Sequence, residues 1–256
     1  MVEAWLIDAA MAYNRQSYEQ KDGYVGLILL PLKHLETVLN WSFQSLPDEI
    51  LVGFDPNQNL AHNPNIHESF IGSDYREQLH QGEGLVLGEP HLVNRGDSFS
   101  VHHIPEEWVD DIFAQERGGR GSRFTHWLHT HPNAVAIPSG ADADAAQWTS
   151  GVDMILGIQF SPSGPLPWFD EVDGVRRPLQ PEEAAQRADN VDAIGRRGWA
   201  RVRKARQEKQ VLGRAPTGHR IHGLELIAFH RTGVGINVVL VDDEGTPIGW
   251  DEIKDV

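Results

Sequence analysis

His129-Thr130-His131-Pro132 is followed, after six residues, by Ser139-Gly140-Ala141-Asp142. Side chains two apart on a strand point to the same face, so His129 and His131 can hold one metal ion from one side. Pro132 cannot continue a central strand, and the chain must leave the sheet there. The loop 133–138 can then return Asp142 over the strand end. Two imidazoles and one carboxylate leave a fourth tetrahedral position for water. That is the arrangement of a catalytic zinc site, not of a closed structural one. Ser139 with Asp142 three residues later also fits a helix N-cap with an acidic first turn. The two roles are compatible, because a helix start would orient both side chains.

The elements around this stretch read as follows. FTHWLHTHP (124–132) is a strand, PSGADADAAQW (138–148) opens a helix, and VDMILGIQFSP (152–162) is a further strand. Upstream, residues 1–20 show weak helical periodicity through Leu6, Ala9, Ala10 and Tyr13. YVGLILLP (24–31) is dense in apolar residues and predicts a buried strand. In 32–45, Leu32, Leu35, Val38, Leu39 and Phe43 share one helical face. LPDEILVGF (46–54) turns at Pro47-Asp48 into a second strand. Residues 55–82, rich in Asn, His, Asp and Gly, read as a long irregular insertion. EGLVLGEPHLV (83–93) predicts a strand and HIPEEWVDDIFAQE (103–116) a helix. WFDEVDG (168–174) ends in a Gly turn and is expected to pair with the strand before it. Residues 182–209 are helical in composition, GRAPTGHR (213–220) reads as a mobile loop, and 224–245 reads as two strands around a Gly-containing turn. The pattern is α/β, a mixed α+β sheet flanked by helices, in a single domain spanning 1–256.

The spacing H-T-H-P-x6-S-x-x-D resembles the signature of the JAMM (MPN+) zinc metalloproteases, with every signature position filled over a resemblance that covers residues 24–170. The resemblance implies an MPN/JAMM-type, cytidine-deaminase-like core and one Zn²⁺ per chain, held by His129, His131 and Asp142. The family also carries a Glu on an early strand after its first helix. PDEILVGF resembles that strand, and Glu49 is the matching position, although the family's glycine spacing is not reproduced at Gly53. Glu68, Glu77 and Glu83 are the alternatives in the insertion. Glu49 is then the general base and acid, and Ser139 the donor to the oxyanion. The implied substrates are proteins or peptides, including ubiquitin-like and sulfur-carrier-like proteins. Two other readings stand beside this one: a small-molecule or peptide amide hydrolase with the same zinc site, and a non-catalytic scaffold.

Composition sets bounds on these readings. The chain has 256 residues, 37 acidic and 22 basic, for a net charge of −15, with 13 His and no Cys. Disulfide frameworks, thiolate zinc and a thiol nucleophile are thereby excluded. The acidic balance argues against nucleic acid and membrane as general partners. No stretch approaches a transmembrane helix, and MVEAWLIDAAMAYNRQ lacks a basic leader region, so the expected compartment is cytoplasmic. Charge is uneven: nine Lys or Arg and one acid, Glu208, lie between Arg196 and Arg220. This stretch, 196–220, reads as a solvated helix face or as a docking surface for an acidic partner or nucleic acid. His102-His103 is a weak second metal candidate. His126 should point away from the His129/His131 face, whereas Trp127 should share it, either lining the site or simply packing. Asp170, Glu171 and Asp173 read as a solvated turn.

Overall fold

Alternation along the strands decides how this chain is layered. The computed structural model describes residues 2–60, 63–95, 123–161 and 210–254, with residues 169–172, 175–178 and 183. Six strands form a mixed sheet in the order β3 (His91–Arg95), β2 (Ile50–Phe54), β4 (His126–Pro132), β5 (Val152–Ser161), β9 (Arg220–His230) and β8 (Gly213–Arg214). β2 is antiparallel and β5 parallel to β4. The parallel pair is joined by α4 (Gly140–Ala146), since parallel neighbours need a crossover. On one face, Val52, Leu128, Met154, Leu156 and Ile158 enter the main core. The residues between them, Leu51, Trp127, His129 and Ile155, belong to the opposite face.

The main core is closed by elements from both ends of the chain. α2 (Leu32–Ser45) buries Leu32, Leu35, Val38, Leu39 and Phe43, the expected face. β1 (Gly26–Pro31) is buried throughout and pairs in parallel with β10 (Ile236–Val241), outside the six-stranded sheet. The expected β1-α2-β2 start therefore places its two strands in different sheets. α1 (Ala4–Glu19) buries Leu6, Ala10, Asn14 and Ser17. Its periodicity is weak in hydropathy because half of its buried face is polar. Asn14 serves as a substitute strand: Nδ2 donates to the Leu240 and Ile248 carbonyls at 2.7 and 2.9 Å, and Oδ1 accepts from Leu240 N at 2.8 Å. Ser17 bonds to Asn237, whose Nδ2 donates to Phe70 O. The C-terminal strands and α1 thus complete the core expected from 24–170.

Several expectations are corrected. The 55–82 insertion is more ordered than its composition suggests: it holds α3 (Pro64–Ser69), capped by the Asn63 side chain, and its Ile66 and Phe70 pack against Leu27, Leu29, Val239 and Val241. The 83–93 strand is broken into isolated bridges at Val86 and Leu87 before β3 begins at His91, because Gly84 is left-handed and Pro90 cannot donate to a ladder. GRAPTGHR is a tight hairpin and not a mobile loop: β8 pairs with β9 around a turn with Gly218 at φ 86°, and His219 is buried against Phe43. β6 (Phe169–Val172) pairs with β7 (Val175–Pro178), so the 168–174 segment finds its partner after it and not before it. Short α5 (Trp250–Ile253) ends the described chain. The 103–116 helix, His102-His103, Asp173 and nearly all of the helical stretch 182–209 lie outside the described residues. Among the described residues no helix is long and apolar enough to cross a membrane.

His126 takes the core face, as alternation requires, and is fully buried. Its ring lies between Gly82 and Gly151, where added Cβ atoms would come within 2.8 Å of Nε2 and 2.4 Å of Nδ1. Nδ1 accepts from Val152 N at 3.2 Å, so the neutral Nε2–H form is held. Burial, and secondarily the neighbouring His80, push this imidazole down to about 3. The unfolded chain protonates at the ordinary value of about 6.5. The neutral ring's contribution to stability is therefore complete above about pH 6.5 and is lost as pH falls toward 3. Denaturant titrations over this window are expected to show a slope contribution approaching about 1.4 kcal/mol per pH unit. His126→Gln should remove it, and identical slopes for the two proteins would assign the acid lability elsewhere.

Candidate metal centre

β4 ends at Pro132, and the chain leaves the sheet through Asn133, a left-handed residue at φ 55°. Asn133 N donates to Ile158 O at 2.7 Å, and its Oδ1 accepts from Phe160 N at 2.9 Å. Phe160 lies two residues past Ile158, the last β5 residue paired with β4, so its N–H is available to this side chain. The loop then crosses directly over Gly157, the residue opposite His131 on β5. A Cβ there would stand 2.8 Å from both Ala134 O and Ala136 N, so only glycine admits this path. α4 starts with a full capping box: Ser139 Oγ accepts from Asp142 N at 3.2 Å, and Asp142 Oδ2 accepts from Ser139 N at 2.6 Å.

This path brings three acceptors together. His129 Nε2 lies 3.1 Å from His131 Nε2 and 3.2 Å from Asp142 Oδ1, and His131 Nε2 lies 3.9 Å from Asp142 Oδ2. His129 and Asp142 are buried, and His131 is partly exposed. The tautomer of His131 is forced: Nδ1 lies 2.9 Å from Val135 O, a carbonyl can only accept, and Nε2 is left as a bare lone pair. A proton on His129 Nε2 would satisfy one contact at a time, whereas one metal ion satisfies all three. Tetrahedral bonds of about 2.0–2.1 Å separate ligand nitrogens by about 3.3 Å, close to the spacing here. The donor set and its geometry fit a metal ion, and this is the one such group of His, Asp and Glu among the described residues.

The other candidates separate cleanly. Glu49 stands one residue before β2 and is half-buried. β2 and β4 pair Leu51 with His129, the last pair of that ladder, and Glu49 lies two residues before Leu51 in the chain. Thr130, pointing into the core between the two histidines, accepts the Ile50 N–H at 3.1 Å and holds this register. Glu68, Glu77 and Glu83 instead line a separate cavity of about 490 Å³ with His67 and Tyr75. Ser139 is exposed beside the triad, with its O–H still available to donate. Trp127 shares the histidine face but packs against Leu51 and Phe124, so its part is packing. Of the basic stretch, Arg214 and Arg220 are described, opposite each other on β8 and β9. The Val135 carbonyl and Gly157 were not readable as site residues. The one available signal was a lone glycine inside the apolar run VDMILGIQF.

No family model matches the chain, and no curated protein matches it. The geometry alone generates a direct test. Wild-type protein loaded and dialysed is expected to retain close to one metal ion per chain by elemental analysis. Asp142→Ala should retain almost none, and Asp144→Ala, an exposed position on the same helix, should match wild type. Equal retention by the Asp142 variant would remove this site from consideration.

Proposed function

We propose that the chain is a zinc-dependent peptidase of the JAMM type, hydrolysing peptide or isopeptide bonds. The carrying observation is the convergence of His129, His131 and Asp142, with the histidines on a strand and the carboxylate at the start of the crossover helix. These are the three residues that the H-T-H-P-x6-S-x-x-D resemblance implies as metal ligands, and a capping box couples Ser139 to Asp142. Two imidazoles and one carboxylate leave coordination open, as catalytic zinc requires. When bound, zinc would supply Lewis-acid polarisation and lower the pKa of a water to about 7.

The chain's own groups supply the rest. Glu49, the position that the resemblance matches, is the proton carrier: its carboxylate takes a proton from attacking water and returns it to the leaving amine. Ser139 keeps an O–H for the developing oxyanion, because its oxygen already accepts from Asp142 N. Such donors typically contribute about 2.7–4 kcal/mol. No covalent intermediate is needed, consistent with a chain that has no Cys. The substrate is a protein or peptide, with ubiquitin-like and sulfur-carrier-like proteins as the leading class. A small amide substrate is the second reading, and the partly exposed edge of the site at His131 and Ser139 favours the longer substrate over it.

Incubation of the zinc-loaded protein with Gly-Gly-terminated ubiquitin-like conjugates and short peptides is expected to release free amine. Glu49→Gln should keep its zinc and lose at least about a hundredfold in turnover. A fully active Glu49→Gln protein would refute the assigned role, and zinc without hydrolysis across the panel would favour a scaffold.

A further inference from the structure

Register places three residues in one row across the end of the sheet: His131 on β4, Gly157 on β5 and Glu225 on β9. Directly paired residues share a face, so all three stand on the side that carries the metal ligands. The middle position has no side chain, and the loop backbone lies in the gap. That backbone is gripped from both sides. His131 Nδ1 donates to Val135 O at 2.9 Å, and Glu225 Oε2 accepts from Ala136 N at 3.1 Å. The Val135 carbonyl and the Ala136 N–H belong to the same peptide group.

We propose that Glu225 is a positioning residue of the metal centre, acting on His131 through this single shared peptide. The inference rests on the metal-centre reading and names what tunes it. A histidine ligand commonly donates its second N–H to a carboxylate or carbonyl, which orients the ring and makes its other nitrogen a better donor. Here the carbonyl does this directly and the carboxylate does it one peptide away. A negative charge on the N–H side of an amide draws out its dipole, and the carbonyl on the other side becomes a stronger acceptor. Position follows as well as polarity: the held loop sets where Ser139 and Asp142 begin α4. The Ala136–Glu225 bond spans 89 residues of sequence, which no local motif would reveal.

The test compares wild type with Glu225→Ala and Glu225→Gln. Glu225 is on an exposed strand position, and glutamine keeps an acceptor while removing the charge. Zinc affinity by chelator competition is expected to fall about 10–100-fold in the alanine variant and by an intermediate factor in the glutamine variant. In the metal-free proteins, NMR should show the Ala136 amide exchanging faster in Glu225→Ala but protected in Glu225→Gln. The His131 Nδ1–H resonance should move upfield in both. Unchanged zinc affinity together with unchanged Ala136 exchange in Glu225→Ala would overturn the proposal. A wild-type protein that takes no zinc would sink the peptidase reading instead, and the two NMR readouts would still decide the role of Glu225.

Discussion

Three acceptors drawn into a volume a few ångströms across repel one another unless a cation lies among them. Everything near the end of β4 serves to hold His129, His131 and Asp142 against that repulsion. The two imidazoles are held by strand geometry, and the carboxylate by a helix whose first turn is closed in both directions by Ser139. Between them runs a loop with almost no freedom. It is pinned at Asn133 to β5, seated over Gly157, and bonded at Val135 to the ring it must orient. A donor set arranged in advance loses little entropy when an ion enters, which is the advantage of building the site on rigid elements.

The division of labour across the sheet follows from the period of two. Leu128 and Thr130 belong to the core, His129 and His131 to the opposite side, and a slip of one residue would exchange them. Thr130 guards against that slip with a hydroxyl that accepts the Ile50 N–H. The same bond fixes the start of β2 against β4. A single buried hydroxyl thus links the strand of the candidate ligands to β2.

Much of this was legible in the sequence, for identifiable reasons. The β4-α4-β5 unit, its candidate ligands and its cap are local, and local spacing reports them through alternation, the proline stop and the S-x-x-D signature. Glu49 was nominated by its place between the amphipathic helix 32–45 and the next strand. What escaped was non-local or chemically disguised. Asn14 and Ser17 look like solvent-facing helix residues until Leu240 and Asn237 are brought against them. The parallel partner of β1 is β10, near the far end of the chain, and no period in the sequence announces it. Gly157 and Glu225 acquire meaning only when three strands are aligned.

The pairing of β1 with β10 also has a consequence in time. A ribosome delivers β1 long before β10, so until Val241 has emerged this buried strand lacks its parallel partner. Contacts of such long sequence separation slow folding, and unpaired strands of this kind invite wrong associations while they wait. α2 follows β1 immediately and packs into the same core. It is the first element after β1 able to cover one side of that strand in the interval, a service rendered to the nascent chain before the finished fold exists.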